Sequence, residues 1–195
     1  MLLRDFPGAE RFIHEIDEAV SADCTKAVTD RLRNTLCRMI RDRAVELPPC
    51  VFECCGDHYA RRELYQSEEH GYSVVAMTWG PGQGTPIHDH CGLWCVEGVW
   101  QGQLEITRYE LEEEDGDKAR FSTHETLMAG AGSAGALLPP HEYHTIRNPK
   151  DDAIAISLHV YQKAMGTCAT FEPLGGDWYQ RGSKTLCLDQ IPCDD

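Results

Sequence analysis

From residue 9 to residue 47 the apolar side chains recur every three or four positions. Phe12, Ile13, Ile16, Ala19 and Val20 form one stripe; Ala27, Val28, Leu32, Leu36, Met39, Ile40, Ala44 and Val45 form a second. That period lines one face of a helix, so the segment is expected to be helical, with a cap at residues 21–23 and an end at Pro48 and Pro49. Its apolar face is expected to pack on the rest of the molecule. At residue 72 the pattern changes. Short runs rich in β-branched and aromatic residues follow one another: YSVVAMTW, GLWCVEGVW, QLEITRYEL, STHETLM, AGALLP, YHTIRN and DAIAISLHVY. Clusters of Gly, Pro, Asn and Asp separate them, which predicts a sandwich or barrel. The acidic run EEEDGDK at 112–118 falls between two strands and reads as a solvated hairpin tip. Residues 175–195 are polar and Gly-rich and carry no period. The chain thus divides into a helical segment, 1–50, packed on a barrel, 51–195.

Composition narrows the function. The 195 residues suit one domain with a small extension. The formal net charge is −14, and a surface that acidic repels phosphate backbones and anionic lipid headgroups. Nucleic-acid and membrane partners are therefore not expected, and no apolar run is long enough to span a bilayer. The first residues hold no apolar stretch with a cleavage site, so the expected location is the cytoplasm. There the ten cysteines would be reduced. No CxxC pair occurs, which leaves a four-cysteine zinc site without support.

Chemistry is concentrated in four of the nine histidines: His88, His90, His144 and His159. Residues two apart on a strand face the same side, so His88 and His90 can present two imidazoles to one metal ion. The stretch runs Gly82, five residues, His88, one residue, His90, four residues, Cys95, six residues, Gly102. This resembles the first motif of the cupin family, a mainly β, jelly-roll-like double-stranded barrel, with Cys95 where that family places Glu. The stretch from Pro139 to Asn148 resembles the second motif and implies His144 as the next ligand. It departs from the pattern with His141 in a Gly slot and Ser133 in another.

The Cys in the Glu slot is similar to the thiol dioxygenases, and to cysteine dioxygenase type I in particular. The resemblance runs from about residue 59 to residue 161. It implies Fe(II) on His88, His90 and His144, with no acidic ligand. It also implies a Cys95–Tyr161 thioether and a relay of Ser157, His159 and Tyr161 on one strand face. Tyr59-Ala-Arg61 resembles the family's Tyr-x-Arg segment, which implies Arg61 as the grip on a substrate carboxylate, with Arg62 as the fallback if the strand register differs. An Arg fork suits a carboxylate because it pairs with it bidentately. Three neutral imidazoles leave the metal its full charge, and an anionic protein ligand would compete with a substrate thiolate.

The activity implied is oxidation of L-cysteine by O2 to cysteine sulfinic acid, by a monomer or small homo-oligomer. The stretch GPGQGTPIHDH is also similar to 3-mercaptopropionate dioxygenases. Those carry Gly in the cysteine slot and a later Arg, and here Cys95 and the Arg-free run after Tyr161 favour cysteine. Two other classes fit the spacing: a zinc or nickel cupin acting as isomerase or hydrolase, and a non-catalytic cupin that binds a small molecule.

Overall fold

The computed structural model describes residues 6–43 and 45–189. Ala44 of the second stripe and Cys193 lie outside the described residues. Two helices come first, α1 (Ala9–Val20) and α2 (Thr25–Arg41). The second helix stops at Arg41, well before the Pro pair expected to end it. Asp42 caps it, and Arg43 then takes a left-handed backbone with φ 50°, a conformation that ends a helix whatever follows. Pro49 instead opens a short 3₁₀ turn, Pro49–Phe52.

Eleven strands follow: β1 (Ala60–Gln66), β2 (Ser73–Trp79), β3 (Ile87–His88), β4 (Cys95–Gln101), β5 (Gln103–Asp115) and β6 (Lys118–Gly130), then β7 (Ala134–Leu137), β8 (His144–Arg147), β9 (Ala155–Tyr161), β10 (Thr167–Gly175) and β11 (Trp178–Thr185). One sheet has the order β1-β2-β9-β4-β7, with antiparallel neighbours throughout. The other runs β10-β11-β6-β5-β8-β3, also antiparallel, and closes as β3 pairs with β10. The molecule is the mainly β barrel with N-terminal helices that the pattern predicts. The acidic run is a hairpin tip, with Gly116 at φ 63° turning β5 into β6. Four strands, β1, β3, β10 and β11, lie outside those runs. Arg61 of the Tyr-x-Arg segment is in β1, and β11 lies in the stretch that shows no period.

Alternation along the first sheet explains its burial on both faces. In β9, Ile156, Leu158 and Val160 join a core with Phe12, Ile16, Leu32 and Leu36 of the helices. The residues between them, Ala155, Ser157, His159 and Tyr161, face the second sheet. Val75, Met77 and Trp79 of β2 and Cys95 and Val99 of β4 share that inner core with Leu104, Ile106 and Ile146 of the opposite sheet. Helix α2 comes down directly on β4. A Cβ added to Gly98 would stand 3.1 Å from Ile40 Cδ1 and 3.4 Å from Leu36 Cβ, so glycine there lets the helix approach the sheet. Helices on one side and a second sheet on the other thus force the polar residues of β4 and β9 into the barrel interior.

Candidate metal centre

The three predicted metal ligands meet inside the barrel. His88 on β3 lies directly across from His144 on β8, and His90 follows two residues after His88. Their ring centroids are 4.4 Å (His88–His144), 5.1 Å (His90–His144) and 5.4 Å (His88–His90) apart. One nitrogen from each ring falls within 4.8 Å of the other two. Backbone fixes the second nitrogen of two of them. His88 Nδ1 donates to the Pro86 carbonyl at 3.2 Å and His144 Nδ1 to the Glu142 carbonyl at 2.9 Å. Those bonds leave the Nε2 lone pairs available to a metal, as metal-binding histidines commonly are. His144 Nε2 and His90 Nδ1 are buried without a hydrogen-bond partner. Burial holds all three imidazoles neutral, with His88 down to about 4 and His90 and His144 well below the usual range. Neutral, converging, unpartnered nitrogens suit a divalent cation.

The register of β4 against β9 sets the neighbouring wall. Cys95 lies opposite Tyr161, Glu97 opposite His159, and Val99 opposite Ser157. Directly opposed side chains approach within ~5 Å at Cβ, so Cys95 and Tyr161 are neighbours on one face. Burial pushes the Cys95 thiol and the Tyr161 hydroxyl well above their ordinary values, so both are protonated. Trp79 Nε1 donates to Ser157 Oγ at 2.9 Å, and Ser157 Oγ contacts His159 Nε2 at 2.8 Å. The hydroxyl has both a hydrogen to give and a second lone pair, so this bond forms with either tautomer of His159. His159 Nδ1 points to Glu97 Oε2 at 3.5 Å and Cys95 Sγ at 4.0 Å. The first link of the expected relay, Ser157 to His159, is thus a hydrogen bond. The second is a ring stack, with the His159 and Tyr161 centroids 5.9 Å apart at 17°.

Glu97 changes the expected picture of a wall free of acid. It is buried, its Oε2 has no hydrogen-bond partner, and it lies 3.9 Å from His144 Nε2. Burial raises its carboxyl to about 7 and lowers His159 to about 3. The two meet as a neutral imidazole and a half-protonated carboxyl, not as an ion pair. The carboxyl flanks the cluster, and the three ligand nitrogens group without it. The signal was present in the sequence, since Glu97 stands two residues from Cys95 on the same strand.

The three histidines line one cavity together with Tyr59, Arg61, His159 and Tyr161. Arg61 is buried, and its Nε has no hydrogen-bond partner, while Nη1 donates to the Cys187 carbonyl at 3.4 Å. Arg62 turns the other way and donates to Thr78 Oγ1 at 3.3 Å; its Nε is likewise buried without a partner, and it is the place on the cavity wall that sets Arg61 apart. Tyr59 stacks on Trp79 with centroids 4.5 Å apart. Lys184 on β11 also lines the cavity, 3.4 Å from the Tyr59 hydroxyl, and sequence reasoning missed it because its strand carries no pattern. His141, the departure in the second motif, is exposed and pairs with Glu110 at 3.1 Å.

The family model of cysteine dioxygenase type I matches residues 55–173, a span that contains the three clustered histidines, Cys95, Tyr161 and Arg61. The chain belongs to the cysteine dioxygenase type I family. Among curated members, cysteine dioxygenase type 1 of Danio rerio is 26% identical over 137 residues, covering 64% of this chain and 65% of that one. The Rattus norvegicus enzyme of the same name is 24% identical over 115 residues, covering 59% and 56%. The chain therefore spans less than two thirds of the length of either relative. Solved structures with similarity include a protein from Thermus thermophilus, with TM-score 0.44, 19% identity and coverage of 56% of this chain and 87% of that one.

Proposed function

We propose that the chain is an iron-dependent thiol dioxygenase that oxidises L-cysteine with O2 to cysteine sulfinic acid. The observation that carries the reading is the shared cavity: three neutral, converging imidazoles on one wall and a buried Arg61 with an unpartnered Nε on another. Family membership supports the dioxygenase class.

Ferrous iron on His88, His90 and His144 would supply a site where thiolate and dioxygen react. The thiol adds one O2 and releases one proton: sulfur gives four electrons, and both oxygen atoms end on it as sulfinate. The chain's own residues do the rest. Arg61 receives the substrate carboxylate, which satisfies a guanidinium nitrogen otherwise buried without a partner. Tyr161, kept protonated by burial, donates its hydroxyl hydrogen bond toward the reacting groups. His159, held by Ser157 on one side and Glu97 on the other, supports the ring of Tyr161 by stacking. The apolar residues of the inner core, Met77, Trp79 and Ile146, exclude bulk water. The register that sets Cys95 opposite Tyr161 supports a thioether between them, whose formation removes two hydrogens with O2 as the two-electron acceptor.

The test is oxygen uptake by the iron-loaded full chain with cysteine. One sulfinate per O2 is expected, with no turnover in the metal-free protein. Cysteine oxidised only to the disulfide would overturn the reading. Lys184 favours a second substrate, 3-mercaptopropionate, since it gives a carboxylate without a neighbouring amine another cation to reach. A higher kcat/KM for that thiol than for cysteine would reassign the substrate.

A further inference from the structure

A second group of metal-ligating side chains lies outside the histidine cluster. Cys55, His58 and Asp189 each offer one ligand atom, and these atoms all lie within 4.8 Å of one another. Cys55 and His58 have the Cys-x2-His spacing that lets two neighbours on a loop reach one ion. Asp189 arrives from beyond β11, 131 residues from His58, and its Oδ1 stands 2.8 Å from His58 Nε2.

Three further features fit a cation. His58 Nδ1 is 2.7 Å from Asp57 Oδ1, the carboxylate–histidine arrangement that orients a metal-binding imidazole and strengthens its other nitrogen. Asp189 Oδ2 accepts from the Arg61 N–H at 2.7 Å, and its Oδ1 shares a proton with His58 Nε2 at 2.8 Å. A histidine between two carboxylates cannot satisfy both while neutral, because a neutral imidazole donates only once. That shared proton stands where a cation would bind; a metal ion displaces it, and the nitrogen and oxygen move apart to take bonds of roughly 2 Å each. The surroundings also favour a cation, with two carboxylates and one thiol around one imidazole.

We propose that Cys55, His58 and Asp189 form a second divalent-cation site, suited to zinc, with solvent completing the fourth position. Binding converts the Cys55 thiol to thiolate and the His58 imidazolium to imidazole. Two protons leave for each Zn²⁺ that enters, and nothing is oxidised or reduced. The site ties the C-terminal segment to β1. Asp189 N–H donates to the Arg61 carbonyl at 2.8 Å, and the Cys187 carbonyl accepts from Arg61 Nη1. A metal at Asp189 therefore braces the backbone of the residue that lines the catalytic cavity. It is independent of which thiol that cavity takes.

The test counts metal on the full chain, using zinc and cobalt(II) alone as probes. Wild type is expected to bind one equivalent more than Cys55→Ser or His58→Ala. Its cobalt(II) form is expected to show a thiolate charge-transfer band that both variants lose. Zinc is expected to slow alkylation of Cys55 at least tenfold, read by peptide mass mapping. Cys55 and His58 are partly exposed, so neither change threatens the fold. Equal stoichiometry in wild type and Cys55→Ser, or a cobalt(II) complex without the thiolate band, overturns the proposal. Failure of the histidine cluster to bind metal would lower all counts by one and leave the difference intact.

Discussion

At the scale of single residues the site is a set of buried polar groups, and burial disfavours the charged form of its histidines, of Cys95, of Tyr161 and of Glu97. His144 lies at its centre, buried, with Nδ1 spent on backbone and Nε2 unpartnered. His144→Ala is expected to lower iron binding by one equivalent relative to wild type, measured by metal analysis after anaerobic loading; an unchanged stoichiometry would show that the ligands are elsewhere. Arg61→Ala is expected to raise KM for cysteine at least tenfold, equivalent to the ~1.5–3 kcal/mol of a charge-assisted hydrogen bond, while leaving cysteamine, which has no carboxylate, little changed. Equal effects on both thiols would count against a carboxylate grip. Glu97 provides a pH test on the metal-free protein. Its folded value, about 7, lies above the ordinary 4.5, so the folded state binds the proton more tightly. That term favours folding below pH 4.5 and is lost as the pH rises through 7, a loss of up to about 3 kcal/mol. Burial of His159 and His88 acts in the opposite sense, favouring folding above their ordinary 6.5 and fading toward acid. Glu97→Gln should therefore raise Tm relative to wild type at pH 8 and not at pH 4.5; the reverse order would contradict the burial account.

At the scale of elements, strand alternation was the most informative signal in the sequence. It places Ser157, His159 and Tyr161 on one face of β9, and the structure has all three inside the barrel. The same rule applied to β4 brings Glu97 in beside Cys95, a consequence that the motif match hid, because the motif concerns the residue at 95 alone. The helix end at Arg41 was not legible, since no Pro or Gly marks it and the left-handed Arg43 is set by the chain's turn toward the barrel. Nor was β11, whose exposed, polar residues gain their place by pairing with β10, not from their own pattern. The Arg61 and Arg62 alternatives needed the register as well. Only pairing with β2 decides which Arg turns inward. Contact between elements is testable at Gly98. Gly98→Val would drive side-chain atoms into Ile40 and Leu36, costing about 1–3 kcal/mol and lowering Tm by several degrees. An unchanged Tm would mean that α2 does not rest on β4 as closely as described.

At the scale of the whole molecule, a chain of net charge −14 encloses a cavity lined by Arg61 and Lys184, with no Asp or Glu among its described lining residues. Such a hole favours small anions, and the proposed substrate, a thiol carboxylate, is one. Helices, first sheet and second sheet form successive layers, and the site lies between the two sheets, where only their inward-facing residues reach it. In the proposed reaction this interior delivers both atoms of O2 to the sulfur of cysteine. The decisive experiment is oxidation of cysteine by the iron-loaded chain under ¹⁸O₂, with mass analysis of the product. Cysteine sulfinate carrying two heavy oxygens is expected; sulfinate with solvent oxygen, or cystine as the only product, would rule the reaction out.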